Sequence, residues 1–270
     1  MINRQTVYEW VELQKKRGKY IFFLSDVKNA LPYYDNHNIT ISLSRLIKQK
    51  IIISPVREFY VIIPTEYALT GIIDPLFYID KMMSFLKRDY YIGLLNAAEF
   101  YGASHQRPQT FTIMNTYPDI RDSKRGGIPF VFICKKEIPS AFIEQKKAKL
   151  GHLNVSSPEL TAIDLIAFEN KIGGLNRVCS VINDLVEVID FNKIKPEYFL
   201  IYPIPIYQRL GYILEFIIGE KELADCLFKD MKSRNLRFRK IPFKVGVPLS
   251  GSMADNRWNV IKNLEIEIDE

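Results

Sequence analysis

Between residues 40 and 48 the chain places Thr40, Ser42, Ser44, Arg45 and Lys48, small hydroxyls mixed with cations. Such side chains hydrogen-bond the edges of bases and pair with phosphates. Arg57 follows in the turn Ser54-Pro55-Val56-Arg57, where a guanidinium could reach a phosphate or a minor groove. A second basic cluster comprises Lys232, Arg234, Arg237, Arg239, Lys240 and Lys244, interleaved with Phe238 and Phe243. It fits two descriptions equally: a solvated edge strand protected by its charges, or a second surface for phosphates, including those of RNA.

Catalytic chemistry has less to work with. The three histidines, His37, His105 and His152, form no HExxH or helical pair, and there is no GxSxG elbow or glycine-rich phosphate loop. His105 lies beyond a helix end and is expected to be structural or solvated. Asp119, Asp122 and Glu137, close to Lys135 and Lys136, are the one set that could hold a divalent metal for nuclease chemistry. Acidic loops serve solubility more often than catalysis, so a metal-dependent nuclease stays a minor alternative. The expectation is a non-enzyme with no cofactor and no metal. Cys134, Cys179 and Cys226 are odd in number and far apart, which suits neither a disulfide framework nor a zinc site.

The basic residues need elements to hold them. Net charge is +6, and residues 1–60 carry ten Lys and Arg against five Asp and Glu, so nearly the whole excess lies there. A basic unit on a near-neutral body points to an anionic partner, nucleic acid first. Val7, Trp10, Val11 and Leu13 keep helical spacing in a first helix ending near Gly18. Ser25 can cap a second, Asp26 to Leu31, which Pro32 stops. Tyr33–Asn38 is expected to be a turn, and a third helix runs from about Ile39 to Gln49 with Ile39, Leu43, Leu46 and Ile47 on one face. Ile51–Ile53 and Phe59–Ile63 then form a ribbon. Three helices followed by a ribbon is the order of a winged helix-turn-helix, whose third helix enters the major groove.

Beyond it the composition shifts. Asp74-Pro75 starts a helix, and a further helix is expected over Tyr91–Tyr101. Strands over Phe111–Met114 and Pro129–Cys134 flank a polar, mobile loop from Pro118 to Gly127. Leu153–Val155 adds a strand. Ser156-Ser157-Pro158-Glu159 combines hydroxyl caps, an early proline and a first-turn carboxylate, the clearest helix start in the chain. That helix should reach Glu169 and break at Gly173-Gly174. A partner holding Leu175, Val178, Ile182, Leu185 and Ile189 follows, then helices over Ile206–Ile217 and Lys221–Lys232. The fold class is α+β, with a winged helix-turn-helix over 1–72 and a larger mixed α/β domain over 73–270. No run is long and apolar enough for a membrane span, and the N-terminus lacks a signal-peptide pattern. The expected location is the cytoplasm.

Five segments, in order, carry a family resemblance: Tyr90–Asn115, Val155–Ile166, Gly173–Val178, Gln208–Glu215 and Arg257–Asn263. Together with the N-terminal unit, they make the sequence resemble the AbiEi family of antitoxins from type IV toxin–antitoxin systems, associated with abortive phage infection. The resemblance implies a repressor that binds inverted repeats in its own promoter, double-stranded DNA, through the winged helix. It also implies a C-terminal domain that opposes a nucleotidyltransferase-like toxin without a stable complex. It brings no catalytic residues. Pro158, Glu159, Thr161 and Asp164 match the family's helix start and are read as structural. The alternatives left open are a stand-alone transcription factor with a ligand-sensing C-terminal domain, a C-terminal interaction module that grips the toxin directly and, less favoured, the nuclease.

Overall fold

The computed structural model describes residues 4–103, 108–249, 254 and 256–267. His105 lies outside them. The chain is a mixture of helices and strands that divides into two compact units. Unit 1 comprises residues 1–90, 109–138 and 145–154, and unit 2 comprises 91–108, 139–144 and 155–270. Residues 1–72 fall wholly within unit 1.

Unit 1 opens with α1 (Val7–Lys16), where the Thr6 side chain accepts from the Glu9 amide and Glu9 returns the bond to Thr6. A strand that the sequence pattern does not reveal, β1 (Ile21–Phe23), comes next. Helix α2 (Leu24–Ala30) begins earlier than expected. Its cap is not the Ser25 hydroxyl but the Asp26 carboxylate, which accepts from the Phe23 amide at 2.8 Å. Helix α3 (Asn36–Lys48) also starts early, because Asp35 accepts from the Asn38 amide at 2.7 Å and turns the second half of the expected turn into helix.

Strands β2 (Ile52–Val56) and β3 (Phe59–Ile62) follow, and β1, β3 and β2 form an antiparallel sheet in that order. The helices close over it around Trp10, Val11, Phe22, Val27, Leu31, Ile39, Leu43, Leu46, Ile52 and Ile62, all buried. Asp74-Pro75 starts a single 3-10 turn, and α4 (Ile79–Phe85) follows.

The expected helix over Tyr91–Tyr101 is corrected. It begins as β4 (Tyr90–Ile92), a β-prone aromatic run too short to show alternation, and becomes helical only as α5 (Leu94–Glu99). β5 (Phe111–Thr116), β6 (Ser123–Arg125) and β7 (Ile128–Lys135) then form one block. Within it β5 and β7 are parallel over six residue pairs, Phe111↔Phe130 to Thr116↔Lys135, and β6 is antiparallel to β7. The polar loop is therefore not a mobile connection: β6 occupies part of it, and the Asp122 carboxylate accepts from the Phe132 amide at 2.8 Å.

β8 (Ile143–Ala148), whose sequence IEQKKA has no strand alternation, lies beside β9 (Gly151–Ser156). The division between the units falls within β4, β8 and β9.

Unit 2 is built on α6 (Pro158–Ala167), capped by Ser157 as its sequence requires. α6 is buried on all sides, and so cannot be recognised as amphipathic. α7 (Glu169–Ile172) ends at Gly173, and Gly173 and Gly174 both take positive φ before α8 (Leu175–Leu185). α9 (Ile204–Tyr212) runs into a π-helical turn, Ile213–Ile218, and α10 (Lys221–Ser233) follows. Two short strands, β10 (Ile241–Pro242) and β11 (Val260–Ile261), pair in parallel.

Gly211 in α9 lies against the fully buried Trp258. A Cβ there would fall inside the van der Waals envelope of three indole carbons. Alanine ordinarily stabilises a helix interior by about 1 kcal/mol over glycine. Here the ring has nowhere to go, and overpacking costs roughly 1–3 kcal/mol or more. Gly211→Ala is expected to lower the urea midpoint, and a raised midpoint would contradict this packing.

Candidate functional site

The surface of α3 follows from its burial pattern. Ile39, Leu43 and Leu46 point into the core of unit 1. At about 100° per residue the opposite side then carries His37, Ile41, Ser44, Arg45 and Lys48. His37, Ser44, Arg45 and Lys48 are exposed and Ile41 half-buried. Ile47, expected on the core face, is instead exposed.

Of the sequence-selected residues, Ser44, Arg45 and Lys48 thus share one face. Thr40 and Ser42 project to its two flanks, and the Thr40 hydroxyl donates back to the Asn36 carbonyl at 2.8 Å. His37 and Ile41 also belong to the face; His37 enters it only because the helix begins at Asn36, whereas Ile41 already lay within the expected span. Arg57 stands at the β2–β3 turn with 93% of its side chain exposed. Its nearest carboxylate is Glu58 at 3.7 Å, an exposed pair of little energetic weight.

Three members of the second basic cluster have partners within the fold. Lys232 sits over the rings of Phe228 and Phe238, at 5.3 and 4.8 Å. Arg234 pairs with Asp230 at 3.0 Å, and Lys244 with Glu169 at 3.1 Å. Arg237, Arg239 and Lys240 remain exposed on an irregular segment before β10. That segment is fixed by the Gln208 amide, which donates to the Arg239 carbonyl at 2.8 Å.

The carboxylates considered for nuclease chemistry are not assembled. Asp122 caps the Phe132 amide, Asp119 bonds the Cys134 thiol, and Glu137 is exposed. Among the described residues no group of three or more His, Cys, Asp or Glu is placed to hold a metal. No helix among them is long and apolar enough to cross a membrane.

Inside unit 2, residues of the first two segments that carry the family resemblance bond one another, and so do residues of Gln208–Glu215 and Arg257–Asn263. Asp164, fully buried, accepts from the hydroxyls of Tyr91 at 2.8 Å and Tyr202 at 2.5 Å. Burial, reinforced by this carboxylate, holds both phenols well above their ordinary range, so they stay neutral donors. Thr161 and Ser156 share a 2.6 Å hydroxyl contact, and Glu159 accepts from the Asp190 amide at 2.9 Å. Gln208 donates to the Trp258 carbonyl, and Glu215 accepts from the Trp258 indole and from Arg257, each at 2.7 Å. Pro158 begins α6, and Glu159, Thr161 and Asp164 each hold a hydrogen bond within unit 2. A cavity of about 290 Å3 opens beside them, lined in part by Phe142, Glu144, Glu159, Asp190 and Lys195.

Two measurements check this site. Asp164→Ala removes the acceptor from two buried hydroxyls at about 1–3 kcal/mol each. Urea unfolding should show a loss of several kcal/mol, whereas Lys240→Ala should leave the midpoint unchanged.

Burial, with the Asp119 bond adding to it, pushes the Cys134 thiol up to about 11; burial pushes Cys179 up to about 12. Only the thiolate is nucleophilic, so alkylation of Cys134 should rise tenfold per pH unit between pH 8 and 10. Asp119→Asn should shift that profile to lower pH. A plateau by pH 9 in the unmodified chain would contradict the assignment.

Residues 91–216 match the family described as the AbiEi antitoxin C-terminal domain. No curated protein matches the sequence. Among solved structures, the RV2827C protein from Mycobacterium tuberculosis is similar with a TM-score of 0.67 at 14% identity, covering 96% of this chain and 92% of that one. An antigenic nucleotidyltransferase-like protein from Paracoccidioides brasiliensis gives a TM-score of 0.36 at 10% identity, over 55% of this chain and 88% of its own. The first likeness is one of fold. Segment 91–216 is thus identified as an AbiEi antitoxin C-terminal domain.

Proposed function

We propose that the chain is the antitoxin of a type IV toxin–antitoxin operon and represses its own promoter through a winged helix-turn-helix over residues 1–72. In this reading α3 lies in the major groove. Arg45 and Lys48 approach phosphates and bases, Ser44 and His37 hydrogen-bond base edges, and Thr40 and Ser42 contact the groove walls. Arg57 clamps the backbone from the ribbon tip. The observation that carries the reading is the outward face of α3: its polar and cationic side chains lie opposite Ile39, Leu43 and Leu46, beside a three-stranded sheet with an exposed arginine at its turn. Residues 73–270 supply the antitoxin function against a nucleotidyltransferase-like toxin, without a stable complex between the proteins. The cavity beside α6 favours, as a second reading, a C-terminal domain that senses a small ligand.

Gel shifts with the DNA upstream of the gene test the first reading. Each lost phosphate contact should reduce the slope of log affinity against log salt by about one unit. Arg45→Ala and Lys48→Ala should each do so, and Lys240→Ala should not. Unchanged affinity and slope in both α3 variants would overturn the assignment of that helix.

A further inference from the structure

We infer that Arg125, in the segment shared with the antitoxin family, is a positioning residue that fixes the β2–β3 ribbon in the pose from which Arg57 reaches DNA. The inference rests on the DNA-binding reading above.

β2 is an edge strand, and its pairing with β3 slips by one residue between Ile53 and Val56. Pro55 occupies this bulge, where its missing N–H costs no ladder bond. Its carbonyl accepts from the Arg125 guanidinium Nη1 at 2.8 Å. The Arg125 guanidinium also lies over the Phe132 ring at 5.2 Å, so its direction is set from β7. The turn that follows sits flush against the N-terminal segment. A Cβ on Gly126 would come within 2.8 Å of Ile53 Cδ1, and one on Gly127 within 3.0 Å of Ile72 Cγ1. Both glycines have positive φ, 54° and 92°.

β6 is paired to β7, and β7 to β5 over six residues, so the grip comes from a stiff block. A ribbon held only by its own ladder must be ordered when it meets DNA, and that ordering weakens binding. Arg125 removes the freedom beforehand.

The test uses the full chain, its own upstream duplex and four proteins: unmodified, Arg57→Ala, Arg125→Ala and the double variant. Hydrogen exchange of the amides between Val56 and Phe59, measured without DNA, should accelerate in Arg125→Ala. The salt slope should fall by about one unit in each single variant and by no more than about one in the double, because both remove the same phosphate contact. Unchanged exchange in Arg125→Ala overturns the latch whatever happens with DNA. A fall of about two units in the double variant also overturns it, making Arg125 a phosphate contact in its own right. Accelerated exchange with an unchanged slope in all variants instead removes the DNA role of the ribbon, and the inference with it. Arg125→Gln, which keeps part of the side-chain stem but loses the guanidinium, serves if the alanine variant does not fold.

Discussion

The burial of one side of a single helix governs the N-terminal part of this molecule. Ile39, Leu43 and Leu46 must leave water, and α1, α2 and the three-stranded sheet give them a place to go. A helix has one opposite side, so the same packing drives Ser44, Arg45 and Lys48 outward together. Their grouping needs no separate cause. Burying an isoleucine or leucine is worth about 1.5–3 kcal/mol, far more than the cations lose by sharing one hydrated face.

The segment that defines the family works differently. Several of its polar side chains find partners within the fold: Asp164 with two tyrosines, Glu159 with a loop amide, Gln208 and Glu215 with Trp258. Such groups are costly to bury without partners, which explains why the motif residues come as matched sets from distant parts of the chain. The resemblance is thus carried by architecture.

Legibility from sequence followed the strength of local signals. The start of α6 was plain, because the Ser157 hydroxyl caps the neighbouring Leu160 amide and Pro158 fits the first turn, and neither needs anything distant. The amphipathic helices α1, α3 and α10 were legible from spacing. β1, β4 and β8 were not: three residues cannot display alternation, and IEQKKA is a strand only because β9 lies beside it. The same division holds for the basic residues. Arg45 and Lys48 could be placed on a helix surface from period alone, although the true start at Asn36 was needed to bring in His37. Within the cluster at 232–244, Lys232 and Arg234 find partners in or next to their own helix, at spacings the sequence displays, whereas the partner of Lys244, Glu169, comes from α7 and could not be foreseen.

The central claim is that the N-terminal unit docks on duplex DNA of its own control region. Fluorescence anisotropy of the intact protein at low ionic strength, with that duplex and with an unrelated one of equal length, addresses it most directly. The account requires tighter binding to the control region than to the unrelated duplex. Equal affinity for the two, or no binding to either, would contradict it.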